Sequence, residues 1–411
     1  MPKAAQTDQG VAGFHRRGPL VERLLFPAAA GYGAIAVPLS VHSMHGGKWA
    51  VAGLSSPLGH AHELFFGYAL AVVAGFLINR LSRPMLALLG LLWLMARISW
   101  LAAPGSLLSF AANAGFAVAV AAIAAPRFMH GAKKWRKKVI GPLVIAICLV
   151  ALAFQVAGFP GRAWLQYLLL QQATLLFALM MVFFGGRLIA PAAAGAIQAT
   201  GGLLKARIQP RIEGALLLLL MAAVVLAVIP HAKVASGVLL MAAGLLTLVR
   251  LLRWRLWACR TRVDLICLGV GYAWLAAGLI MIGASWSLGF GPSSRIATHA
   301  ITIGALGTLT ATIMIRVRLI HARRYPEIVW PFPVLAALML LAASFRFAGA
   351  VNPAMLTWAA TCWSLAMVLL LGALLGFAPA GRKPAQTWTD CRQRHPGRLP
   401  GALHGNAGEV H

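Results

Sequence analysis

The sequence predicts an all-α, polytopic integral membrane protein. About twelve transmembrane helices form one bundle, with both termini in the cytoplasm. Three observations carry this prediction. Hydrophobic residues make up 60% of the 411 residues and charged residues 11%, against roughly half and a quarter in soluble domains, and mean hydropathy is +0.81. Twelve stretches approach the roughly 20 mostly apolar residues that cross a bilayer. Basic residues alternate from one side of these stretches to the other. Together these exclude a disordered chain, a coiled coil, a collagen and a conventional cytosolic enzyme.

The predicted organisation is a cytoplasmic tail over 1–23, a membrane domain over 24–377 and a basic, disordered cytoplasmic tail over 378–411. The first 23 residues carry Asp8, His15, Arg16, Arg17 and Glu22 before any apolar run, unlike a cleaved signal peptide. The spans are 24–42, 61–79, 84–102, 106–125, 139–157, 164–184, 214–230, 233–252, 263–283, 295–315, 329–347 and 354–377. Several carry small residues that let helices approach closely in lipid, as in Gly31-Tyr32-Gly33 and Gly304-Ala305-Leu306-Gly307. None alternates with period two, so strands are not expected. The Gly/Ala-rich stretch 187–200 reads as a loop or interfacial helix. The last 34 residues are polar and rich in Pro and Gly, a composition that does not bury a core.

The net charge is +28, with 36 Lys and Arg against 8 Asp and Glu, and the isoelectric point is near 11.6. In a soluble protein this would point to nucleic acid. Here thirty of the cations fall in the N-tail, the loops after even-numbered spans and the C-tail. Four (Lys48, Arg162, Lys233 and Arg295) fall on the other side, and Arg97 and Arg346 lie inside spans three and eleven. Cytoplasmic loops of membrane proteins are enriched in this way, so the partner expected is the lipid bilayer and not nucleic acid. Oligomeric state is not assigned by the sequence.

Glu22, Glu213 and Asp264 begin spans near arginines, where they complement helix dipoles and pair at the surface. No carboxylate is placed mid-span, which argues against a proton- or sodium-coupled transporter. Histidines are distributed differently. His42 and His45 close span one, His60 and His62 open span two just before Glu63, His231 sits in an outer turn, and His299 opens span ten. Six of twelve histidines therefore gather at the face that positive charge avoids, with Arg97 and Arg346 nearby. Imidazole is a common ligand for copper, iron and zinc, and two imidazoles from different helices hold a b-type haem inside a bundle. His42-Ser43-Met44-His45 adds a thioether suited to Cu(I), and an arginine would pair with haem propionates. The plain alternative is interfacial histidines that hydrogen-bond headgroups or backbone. Spans two and ten share a spacing, with glycine five residues after histidine in His62–Gly67 and His299–Gly304. The five cysteines are scattered, without disulfide or zinc-site spacing, and no nucleophile–base motif assigns a turnover reaction.

Four segments carry a family resemblance. Gly59-His60-Ala61-His62-Glu63-Leu64-Phe65-Phe66-Gly67-Tyr68-Ala69 resembles the Trp-His-Ala-His-Glu-Met signature of the NnrS family. Leu92-Trp93-Leu94-Met95-Ala96-Arg97 looks like its next helix. Phe184-Gly185-Gly186-Arg187-Leu188-Ile189-Ala190-Pro191 looks like its Gly-Gly-Arg-x-x-Pro segment. Thr298-His299-Ala300 through Arg316 and His321 resembles its His-Ala-x-Thr-x-Gly-x-x-Gly and Arg-x-x-x-Gly-His stretches. Gly59 replaces the signature Trp, Leu64 its Met, and Ile320 the Gly before the last histidine, which marks a divergent member. The resemblance implies a haem- and copper-containing protein of the bacterial inner membrane, linked to nitric oxide and nitrosative stress. It makes His60, His62, His299 and His321 candidate metal or haem ligands, with Arg97, Arg187 and Arg316 as supporting charges. By the topology above His321 lies on the cytoplasmic side, so it either marks a second site or is a surface residue.

The expected function is a haem/copper-binding membrane protein of the nitric oxide response. Haem b would sit between spans two and ten near His62, His299, Arg97 and Arg346, with copper nearby; the candidate metal ligands are His42, His45, His60, His62, His299 and His321. The alternatives are a transporter or channel for a small solute or metal ion, and a factor that delivers metal to a respiratory oxidase.

Overall fold

The computed structural model describes residues 20–130, 138–158, 161–204, 209–289, 292–322 and 329–377. The expected tails at 1–23 and 378–411 lie outside these residues, apart from 20–23. Among the described residues no strand forms; one isolated bridge joins Leu20 to Arg80.

Among the described residues twelve long helices follow one another: α1 Glu22–Met44, α2 Pro57–Leu77, α3 Arg83–Ala102, α4 Leu107–His130, α5 Ile140–Gly158, α6 Ala163–Ala199, α7 Pro210–Leu226, α8 Lys233–Arg253, α9 Val263–Ser287, α10 Ser294–His321, α11 Pro331–Ala348 and α12 Met355–Gly376. Eleven are long and apolar enough to cross a membrane. The remaining one, α7, has 17 residues, about 26 Å at 1.5 Å per residue against a hydrocarbon core of about 30 Å. Residues 227–230, expected to extend it, turn into the start of α8 instead.

Stretch 187–200 departs from expectation. It is neither a loop nor a separate interfacial helix but continues α6 to Ala199, 37 residues in all. Its alanines are strong helix formers, and the helix runs through Pro191 to end at Ala199. At about 55 Å, α6 outruns the bilayer. Beyond the apolar part, Arg187 pairs with Glu213 at 2.9 Å and its guanidinium lies 3.5 Å from the Phe183 ring centroid.

Consecutive helices pack as antiparallel neighbours, and α12 returns to α1. There Trp363 Nε1 donates to Gly33 O at 2.9 Å and Ser364 Oγ to Ala34 O at 2.8 Å. Buried residues make up 78% of the apolar windows of α2 and α6 and 67% of that of α10, against 33% in α3 and α11, so the first three form the centre. α8 and α9 touch through glycine. A Cβ on Gly283 would lie 2.5 Å from Gly237 O, and one on Gly237 2.8 Å from Gly283 O. This is the small-residue contact by which helices pack in lipid, where burying apolar surface gains little.

α2 and α10 share a further feature. Each begins as an α-helix that ends on a histidine, His62 or His299, then widens into a π-helix over Glu63–Ala69 or Ala300–Gly307 before returning to α. The matched His–Gly spacing therefore has a structural counterpart, and such π segments often mark functional sites.

Candidate functional site

Two groups of polar side chains meet at the end of the bundle where α1 finishes and α2 begins. The first is centred on Glu63, which is completely buried and accepts from Arg97 Nη1, from the Tyr32 hydroxyl and, at 2.9 Å, from His62 Nδ1. Arg97, 2% exposed, also donates to Asn113 Oδ1, and Asn113 Nδ2 donates to Ser109 O at 2.9 Å. A carboxylate only accepts, so His62 carries its proton on Nδ1, and Nε2 accepts from Gln155 Nε2 at 2.8 Å. The imidazole stacks on Trp100 with centroids 3.7 Å apart, and on Phe154 at 5.2 Å. The network joins α1 to α5 around one buried ion pair.

Local sequence explains this geometry. Ser56 caps α2 by accepting from Gly59 N at 3.1 Å, and Pro57 starts the first turn. Gly67 leaves room for the guanidinium, since a Cβ there would lie 2.5 Å from Arg97 Nη1. The π-helical Gly67 carbonyl accepts from Trp93 Nε1 at 2.8 Å. No carboxylate is expected mid-span, and Glu63 lies near the start of α2; it is nonetheless wholly buried, and its charge is answered across the bundle. Glu22 and Asp264, expected to pair at the surface, are each 2% exposed. Asp264 binds Arg262 and Arg316, and Glu22 lies 3.6 Å from Arg318 and 3.2 Å from His321 Nδ1. Arg316 is therefore committed to Asp264, and Arg187 to Glu213.

The second group is His60, His299 and Arg346, each half-buried and within electrostatic reach of the others. His60 Nδ1 is buried and has no hydrogen-bond partner. His299 Nδ1 donates to Arg295 O at 2.9 Å, which leaves the lone pair on Nε2. His60 and His62 separate because residues two apart on a helix point in opposed directions; one turns toward α10 and α11, the other toward α3 and α5.

The other candidates stand apart. His42 and His45 are exposed; Trp49 N donates to His42 Nε2 at 3.4 Å, and His45 Nδ1 donates to Val41 O at 2.7 Å. His321 lies at the opposite end of α10, 22 residues or about 33 Å from His299. Among the described residues no three His, Cys, Asp or Glu side chains are placed to share a metal. Four described cysteines are buried and free.

The donors of His60 and His299 fit a small metal ion: one orphaned nitrogen, one free lone pair and no competing carboxylate in the group. They do not fit a haem bridging α2 and α10 through His62. His62 Nε2 is taken by Gln155, and its ring packs against Trp100 and Phe154. The cavities beside these helices measure about 230 and 70 Å³, below the roughly 300–1,000 Å³ of sites for drug-sized ligands. Glu63, Tyr32, Asn113 and Gln155 were not singled out from the sequence as site residues. The signal for them was two amides inside apolar spans and an acid beside the paired histidines, since intramembrane polar groups face the bundle interior and find partners.

A comparison with curated proteins finds no match. A protein-family model described as "NnrS protein" matches residues 23–378, which covers every helix after the first residue of α1 and both polar groups. The chain belongs to the NnrS family of multi-pass membrane proteins, linked at family level to the nitric oxide response.

Proposed function

We propose that this protein serves the nitric oxide response of a bacterial inner membrane by holding copper at the outer face, between His60 of α2 and His299 of α10. The observation that carries this reading is the orphaned His60 Nδ1, within electrostatic reach of a second imidazole whose tautomer leaves Nε2 free. Imidazole suits copper, and a metal held by two protein donors keeps positions open for a small ligand such as nitric oxide. Arg346 stands beside the pair and makes no hydrogen bond or ion pair with a described residue, which suits an anionic ligand or product. The Glu63 network supports the site by locking the start of α2 against α1, α3, α4 and α5. Haem b, implied by the resemblance, has no place between His62 and His299 in this arrangement.

Copper titration of the purified protein, with metal analysis, tests the assignment. His60→Ala and His299→Ala should each lower copper affinity at least tenfold, while His62→Ala retains it. Loss of copper only in His62→Ala would overturn the reading. The buried Glu63–Arg97 pair favours one second reading, a transporter that moves a small solute. Solute flux in proteoliposomes that is abolished by Glu63→Gln while copper stays bound would select it.

A further inference from the structure

An apolar cavity of about 70 Å³ lies between α2, α6, α9 and α10, apart from both polar groups. Ala69, Met180, Met181, Leu268, Leu306 and Leu309 form its walls. Its one polar side chain is Thr310, whose hydroxyl donates to Leu306 O at 2.6 Å and accepts from Tyr68 at 2.9 Å. Nothing within asks for water, which needs two to four polar partners, and apolar cavities of this kind stay dry and take xenon. The volume is several times the roughly 10–15 Å³ that holds one water molecule, room for a small neutral molecule.

The mouth is apolar as well. Val73, Phe76, Phe184, Leu188 and Ile313 line the cavity and stay half-buried. The Phe76 and Phe184 rings meet edge to face at 5.1 Å. A neutral gas dissolved in hydrocarbon can enter here, and an ion cannot. The inner end is also placed by the fold. Ala69 closes the π segment of α2 and Leu306 lies in that of α10. Nine residues separate Ala69 from His60 and seven separate Leu306 from His299, about 10–14 Å along each helix.

We propose that this cavity is a binding site for a small neutral gas, loaded from the bilayer and lying between the two helices that carry the histidine pair. Naming the gas nitric oxide rests on the functional reading above; the site itself rests on the cavity. Xenon is the probe, applied under pressure to crystals of the full chain grown in lipid and located by anomalous scattering. One xenon is expected between Ala69 and Leu306. Ala69→Leu should lower its occupancy at least tenfold without changing copper binding. Leu306→Ala should raise it, and that variant decides the matter should Ala69→Leu not fold. A cavity without xenon, a cavity filled by an acyl chain, or occupancy indifferent to these substitutions would overturn the proposal. Xenon retained in a protein that binds no copper would overturn the copper reading alone.

Discussion

Replacing Glu63 by Gln should cost more than any surface change in this molecule. Glu63 is wholly buried, and Arg97 is 2% exposed. The substitution keeps an oxygen for Tyr32 and His62 but leaves the guanidinium in the bundle without a counter-charge. Removing one partner of a buried pair costs about 3–5 kcal/mol, a large share of a typical total of about 5–15 kcal/mol. Arg97→Met should cost a similar amount, because it strands the carboxylate. The double variant should return to within about 2 kcal/mol of the parent, since exchanging a whole buried pair for neutral groups is often nearly neutral. Unfolding free energies measured in bicelles by steric trapping provide the three numbers. Single losses below about 1 kcal/mol, or losses that simply add in the double variant, would refute the argument that this pair is desolvated and coupled.

Two further outcomes follow from the packing. Gly283→Leu should separate α8 from α9 at a cost of about 1–3 kcal/mol, the usual range for overpacking, because even a Cβ there meets Gly237 O at 2.5 Å; unchanged stability in the same bicelle assay would contradict the close contact. Cys259, in the turn between these helices, is buried, and burial pushes its thiol above the ordinary value, with Arg262 opposing the shift. The thiolate is the reactive form. In a variant retaining only this cysteine, alkylation should therefore be slow at neutral pH and accelerate only above the pH at which a free thiol reacts. A rate at pH 7 equal to that of the unfolded chain would count against it.

The spans were legible because crossing hydrocarbon demands long apolar runs whatever their neighbours do, and eleven of the twelve expected runs became helices of sufficient length. Two elements differ from expectation. Stretch 187–200, expected as a loop or interfacial helix, prolongs α6, and α7 ends at Leu226 although the residues that follow are still apolar. The histidine-rich end was legible from the position of each residue along its span. Which histidines share a space was not legible: the expectation set His62 beside His299, whereas His60 is the one within electrostatic reach of His299. What each ring meets was not: Gln155 lies 93 positions from His62, and Arg97 lies 34 from Glu63.

By itself the sequence determined that this chain is a multi-pass helical membrane protein of the NnrS family and which end carries its imidazoles. Hydropathy and local motifs act through neighbours on the same helix, so both can be read without knowing the fold. The tertiary structure alone decided that Arg97 serves Glu63, that Gln155 closes His62, and that a dry cavity lies between the two π-helical segments. Those outcomes depend on how α1 to α6, α9 and α10 rotate and approach one another. That rotation is set by glycine contacts and by the pairing of buried charges such as Glu63 with Arg97, conditions that no single stretch of sequence contains.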